Sequence, residues 1–181
     1  LGNHLKGWGV NQESIIELNW DESANFNGIQ FVCLPARHFS GRGPLNRNST
    51  LWCSWAIKSE HGKIYFSGDS GYGNHFKTIG EMHGPFDLSF IDCGQYNVAW
   101  KYSHMIPEEA VKASKDLVSD YFMPIHWGAF TLSTHPWEEP VIRAINYAKK
   151  TNQKIIAPNL GQIILLGDDM DTEIIDWWNS Y

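Results

Sequence analysis

The 181-residue chain contains no run of lysine or arginine, and its formal net charge is −6. A surface that neutralises phosphates needs clustered basic residues, so this balance argues against a general nucleic-acid binder. No apolar run approaches the roughly 18–20 residues a helix needs to cross a bilayer, and no transmembrane segment is expected. Cysteine is scarce: Cys33, Cys53 and Cys93 are odd in number, far apart and free of Cys-x-x-Cys spacing. That excludes full pairing and a thiolate zinc motif. Each lies in an apolar, strand-like run, where a free buried thiol in a reducing compartment is the expectation. Internal repeats and low-complexity stretches are also lacking. The chain opens on Leu1-Gly2-Asn3-His4, with neither an initiator methionine nor a signal-peptide pattern. Such a start fits a processed product or a truncated reading frame, so the missing signal says little about location. A cytoplasmic or membrane-peripheral protein is expected.

What is present is globular. Hydrophobic residues make up 43% of the chain and charged residues 19%, a composition that supports one domain with a real core and is too short for two. Nine Trp, nine Phe and seven Tyr stand out; such side chains suit interfaces and pockets, but most are expected in the core.

Runs rich in β-branched and aromatic residues predict strands over 15–20, 29–35, 51–58, 63–67, 86–92 and 121–125, with a closing pair over 154–158 and 162–166. Asn27-Gly28 is a turn signal, and 59–62 joins the third and fourth strands as a hairpin. Helices are predicted around 75–82, over 107–120 and over 138–150. The second opens on Pro107-Glu108-Glu109, where a missing donor and the macrodipole favour proline and acids. Strands followed by strands alternating with helices imply an α/β layered domain.

Three residues sit just beyond predicted strand ends, where layered α/β proteins place chemistry. His38 follows Pro35-Ala36-Arg37 and enters a loop rich in glycine and arginine; Asp69 lies in Phe66-Ser67-Gly68-Asp69-Ser70-Gly71; His126 lies in Pro124-Ile125-His126-Trp127-Gly128. Imidazole and carboxylate are ligands for divalent ions, and a carboxylate can bridge two. Taken singly, each has a plainer reading as a hydrogen-bonded structural histidine or a turn aspartate. The order His–Asp–His, at increments of 31 and 57 positions, carries more than any one of them.

That order resembles the C-terminal ligand set of the metallo-β-lactamase superfamily. Pro35-Ala36-Arg37-His38, Gly41-Arg42-Gly43, Gly68-Asp69, Gly71-Tyr72, Gly84-Pro85-Phe86-Asp87, His104, Pro107-Glu108-Glu109-Ala110 and Ile125-His126-Trp127-Gly128 narrow the resemblance. The branch is that of the N-acylphosphatidylethanolamine-hydrolysing phospholipase D-like hydrolases. The resemblance implies the C-terminal half of an αββα sandwich, a mixed sheet with flanking helices, as a single domain over 1–181. It implies His38 on one metal ion, Asp69 bridging both and His126 on the other, two divalent ions with zinc first among them, and Asp69 and His104 in catalysis. His104 would orient substrate or act as general acid, against a plain reading as a structural histidine beside a helix. Ser70 stands where the family more often has threonine, and both keep a hydroxyl.

The family's other signature, His-x-His-x-Asp-His, is absent from this sequence. Three ligands fall short of the roughly three to five each ion needs. Half a sandwich would also leave an apolar sheet face open, so pairing is expected, with the N-terminal half or with a second copy. The leading expectation is hydrolysis of a phosphodiester such as an N-acylated phospholipid by a metal-bridging hydroxide, with lactone or ester hydrolysis as an alternative. A non-catalytic half-domain is the competing class, and a nucleic-acid-processing hydrolase is disfavoured by charge. The partner implied is a phospholipid or other small phosphodiester, with peripheral membrane contact and no nucleic acid. Arg37, Arg42 and Arg47 would steer an anion or brace loops through salt bridges. His4, His61, His75, His83 and His135 match no ligand position and are expected on the solvated surface.

Overall fold

In the computed structural model all residues are described except Arg42, Thr131 and positions 168–169, 171–175 and 181. The Asn27-Gly28 turn, with both residues at positive φ, folds β1 (Ser23–Phe26) onto β2 (Ile29–Pro35) with Phe26 opposite Ile29. Positive φ at both central positions is the geometry that suits the strand twist of a two-residue hairpin. β3 (Cys53–Ser59) and β4 (Gly62–Phe66) form the second hairpin, and β5 (Phe86–Asp92), β6 (Ser119–Ile125) and β7 (Lys154–Ile155) follow. The seven strands lie in sequence order in one sheet, antiparallel from β1 to β4 and parallel from β4 to β7. The expected α/β mixed sheet is therefore present.

Helices α2 (His75–His83), α3 (Pro107–Asp116) and α4 (Glu139–Thr151) supply the layer against the sheet, while α1 (Gly2–Gly7) is a short opening turn. Their apolar stripes meet alternate sheet residues: Val32, Leu34, Ala56, Tyr65, Ile91 and Phe122 pack with Phe76, Ile79, Val111, Leu117, Val141 and Ala144. The opposite face carries two registered rows, Phe31–Ile57–Ile64–Leu88–Tyr121 and Cys33–Trp55–Phe66–Phe90–Met123. Ile156, Ile164 and Met170 cover this face near Leu88 and Tyr121. Towards β1 it is open: Phe66 is 40% and Phe26 64% exposed, and a groove of about 430 Å³ runs over Phe31, Trp55 and Ile57. Ile16 and Leu18 line the same groove, and most of the two rows is half-buried or buried, with Phe66 the exposed member.

Several local expectations are corrected. Residues 15–20 are not a strand; Ile15 is extended, but no ladder partner faces this stretch, because the hairpin gives the edge of the sheet to β1. The helix from Pro107 stops at Asp116 rather than 120, since Val118 turns into the left-handed region and β6 begins at Ser119. Of the closing pair only Lys154–Ile155 is a strand, and 162–166 is irregular. The thiols are free, with Cys33 and Cys93 buried and Cys53 half-buried; burial, aided by the neighbouring Cys53, pushes the Cys33 thiol up to about 12.

Candidate metal centre

β2 runs antiparallel to β3, and β3 antiparallel to β4, so β2 points the same way as β4, β5 and β6. The C-terminal ends of these four strands therefore lie along one edge of the sheet. Each delivers a residue there: His38 beyond β2, Asp69 beyond β4, Asp92 as the last residue of β5 and His126 directly after β6. His104 joins them from the loop between β5 and α3.

The loops are tied to one another. The Gly71 amide donates to the Arg37 carbonyl at 2.9 Å, and the Arg37 amide donates to Ser70 Oγ at 3.0 Å, which locks the His38 and Asp69 loops together. A Cβ at Gly71 would collide with the Tyr102 carbonyl, so only glycine lets this loop approach the segment that carries His104. Gly94 stands in the same relation to the His126 carbonyl. The Trp127 indole donates to the Pro124 carbonyl at 2.9 Å, and its ring packs with Trp137, Trp177 and Trp178, anchoring the end of β6.

His38, Asp69 and His104 each bring a ligating atom within 4.8 Å of the others, and Asp92, His104 and His126 do the same. His126 Nε2 lies 3.9 Å from Asp69 Oδ1. The His104 ring centroid is 5.3 Å from that of His38 and 5.2 Å from that of His126. Asp69, 47% exposed at its side chain, thus stands between the two outer histidines and open to solvent. The His38 Nδ1 is 2.8 Å from the Phe39 carbonyl, a contact that leaves Nε2 for a ligand. Imidazole nitrogens and a carboxylate, hydrogen bonds that orient two of the rings, and an open side fit a divalent metal ion.

Asp92 was not singled out by the sequence, yet it is fully buried behind the site. Its Oδ2 lies 2.8 Å from His104 Nδ1 and accepts the Ser70 amide at 3.1 Å; its Oδ1 accepts the Gly94 amide at 3.3 Å. Burial alone would lower the His104 pKa, but the hydrogen bond to Asp92 and its charge outweigh that and raise it. Gln95 was missed as well: its side chain donates to the Phe130 carbonyl at 2.5 Å and accepts the Leu132 and Ser133 amides, holding the loop beyond His126. The signal that could have found Asp92 is the strand-end rule that found the others, applied to β5.

The remaining candidates separate from the centre. Arg37 donates to the Tyr72 carbonyl at 2.9 Å and lies 4.2 Å over the Tyr102 ring, and Arg47 lies 5.1 Å over Phe39. Neither pairs with a carboxylate among the described residues; aromatic faces hold them instead. Arg42 lies outside the described residues. His75, His83 and His135 are half-buried rather than solvated: burial lowers His75 to about 4, His83 meets Lys58 Nζ at 3.1 Å, and His135 stacks on Tyr96. His61 is exposed, whereas His4 is half-buried too, its ring tilted 34° to that of Trp8 at 6.2 Å.

A layered α/β sheet whose parallel-running strand ends gather His, Asp and His defines the metallo-β-lactamase class of fold. The chain matches the β-lactamase superfamily domain over residues 1–127, and it belongs to that family. A protein of Mycobacterium tuberculosis is 45% identical over 181 residues, which covers 98% of this chain and 48% of that protein. The N-acyl-phosphatidylethanolamine-hydrolyzing phospholipase D 1 of Caenorhabditis elegans is 41% identical over 144 residues, 72% of this chain and 40% of that one. The chain thus spans about half the length of the curated relatives it matches. Among solved structures, a metallo hydrolase of Ignicoccus hospitalis superposes with a TM-score of 0.64 at 18% identity, over 89% of this chain and 64% of its own, a likeness of fold.

Proposed function

We propose that the protein is a metal-dependent hydrolase of phosphodiesters, with N-acylated phospholipids as the substrate class. The observation that carries this reading is the convergence of His38, Asp69, His104 and His126 at one sheet edge, backed by buried Asp92. On this reading His38, Asp69 and His126 would hold the divalent ions, with zinc the metal that best suits this donor set. Ions held there would supply an activated water and offset charge on the attacked phosphoryl group. His104, carrying its proton more readily because of Asp92, serves the departing oxygen as general acid. A cavity of about 550 Å³ beside His104, lined by Tyr96, Val98, Lys101 and Ile106, gives room for part of a substrate. The name of the worm relative supports the lipid class. No helix among the described residues is long and apolar enough to cross a membrane, so contact with lipid would be peripheral.

The remaining ligands would come, on this reading, from a segment carrying His-x-His-x-Asp-His, in the same polypeptide or in a partner, while a second copy would serve to cover the apolar sheet face. The test is release of phosphatidic acid from N-acylphosphatidylethanolamine vesicles, with Asp69→Ala as the control. Turnover of a lactone and not of the phospholipid would move the assignment to an esterase. A second reading, a non-catalytic half-domain that assembles through its sheet, is favoured by the exposure of Phe26 and Phe66. It predicts association on a sizing column and no metal-dependent turnover; a monomer that binds no hydrophobic dye contradicts it.

A further inference from the structure

Asp92 presents a carboxylate with no exposed surface, at the end of β5, to three separate segments. Two of its partners are backbone amides, from Ser70 and Gly94, and the third is the His104 ring. Taking a charge out of water is costly unless it is fully hydrogen-bonded. The two amides fix the plane of the carboxylate, and a carboxylate that only accepts can in turn fix an imidazole. We infer that Asp92 is a positioning residue for His104, holding the ring as the Nδ1–H tautomer and presenting Nε2 to the face shared with His38 and His126. The ring centroids on either side, at 5.3 and 5.2 Å, place His104 between those two histidines. Without Asp92 the ring has two tautomers and freedom about χ2, and only one combination serves that face.

The inference rests on the proposed function in one respect, the use of His104 at the departing group. There, the oxygen of water bonds to phosphorus and the phosphorus–oxygen bond to the alcohol breaks. His104, as the imidazolium with its Nδ1–H held by Asp92, passes its Nε2 proton to the departing oxygen, and the proton shed by the water, by way of solvent, returns the ring to the imidazolium. A carboxylate that merely filled a polar gap would leave this step untouched relative to the rest of the reaction.

Two measurements test the inference: the first compares wild type with Asp92→Asn, which keeps the side chain's shape, and uses His104→Gln to assign the ring signal; the second adds His104→Gln and the double variant. The first is ¹⁵N NMR of histidine-labelled protein at a pH where the rings are neutral, which needs no activity. Wild-type His104 is expected as the Nδ1–H tautomer, and Asp92→Asn is expected to lose that preference. An Nε2–H ring in the wild type, or a tautomer unmoved by the substitution, overturns the inference. The second compares N-acylphosphatidylethanolamine, whose alkoxide needs a proton, with bis(4-nitrophenyl) phosphate, whose leaving group does not. Asp92→Asn should lower kcat on the lipid about 100-fold and on the nitrophenyl ester less than about threefold, with the double variant no worse than either single one. Equal losses on both esters, or additive losses in the double variant, show a structural role and overturn it. If the wild type cleaves neither ester, the phosphodiesterase reading falls and the tautomer alone decides the role of Asp92. If Asp92→Asn does not fold, the wild-type tautomer and the split shown by His104→Gln decide it.

Discussion

The strand-end placement of His38, Asp69 and His126 was legible in the sequence because each follows an apolar run and is set among glycines or beside a tight turn. Asp92 closes a strand and could have been found by the same rule, but its pairing with His104, twelve positions away, exists only once β5 and the following loop are folded. The same holds for Gly94, whose role is to let the His126 carbonyl approach. Gly94→Ala forces a Cβ against backbone that cannot swing aside, and overpacking of this kind costs about 1–3 kcal/mol. The expected outcome is a lower urea midpoint at unchanged slope, together with weaker metal binding. A midpoint equal to that of the wild type contradicts the packing argument.

Among the elements, α3 and α4 show how far local signals reach. The proline and acids of the first turn gave the start of α3, and the Ile106 amide indeed donates to the Glu109 carboxylate at 3.3 Å. Its end was overrun by four residues, since the left-handed turn at Val118 is set by the entry to β6 and not by propensity. Residues 15–20 misled for a related reason: an extended apolar stretch becomes a strand only when a neighbour offers a ladder. Arg143 of α4 clamps the two helices, with NH2 2.6 Å from Glu108 and NH1 2.8 Å from Glu139. The side chains are about one-third exposed, so screening limits the clamp to roughly 1 kcal/mol. For Glu108, burial raises the pKa but the hydrogen bond from Arg143 prevails and lowers it; for Glu139 the hydrogen bond from Tyr96 leads the lowering. A carboxyl lowered on folding stabilises above its ordinary value of 4.5 and loses that contribution as pH falls through the folded value. Arg143→Met should therefore be less stable than wild type near neutrality, with the gap closing below about pH 4.5; a gap independent of pH argues against the clamp.

Over the whole molecule, strands followed by strands alternating with helices made the layered α/β sheet readable. The groove over Ile57 and Phe66 is lined also by Ile16 and Leu18, and Phe66 stays exposed in it. Phe66→Lys with Phe90→Lys places two charges in one row and should reduce both self-association on a sizing column and binding of a hydrophobic dye. Association unchanged by the pair would locate the contact elsewhere.

The central claim is that the strand-end histidines and Asp69 hold a divalent ion. Metal content per chain, measured by mass spectrometry on purified protein beside His126→Ala, tests it most directly. The account predicts about one or two bound ions per chain, lost or sharply reduced in the variant while its far-UV spectrum is unchanged. A wild type with no metal after dialysis against zinc, or a His126→Ala protein that keeps its full complement, would contradict it.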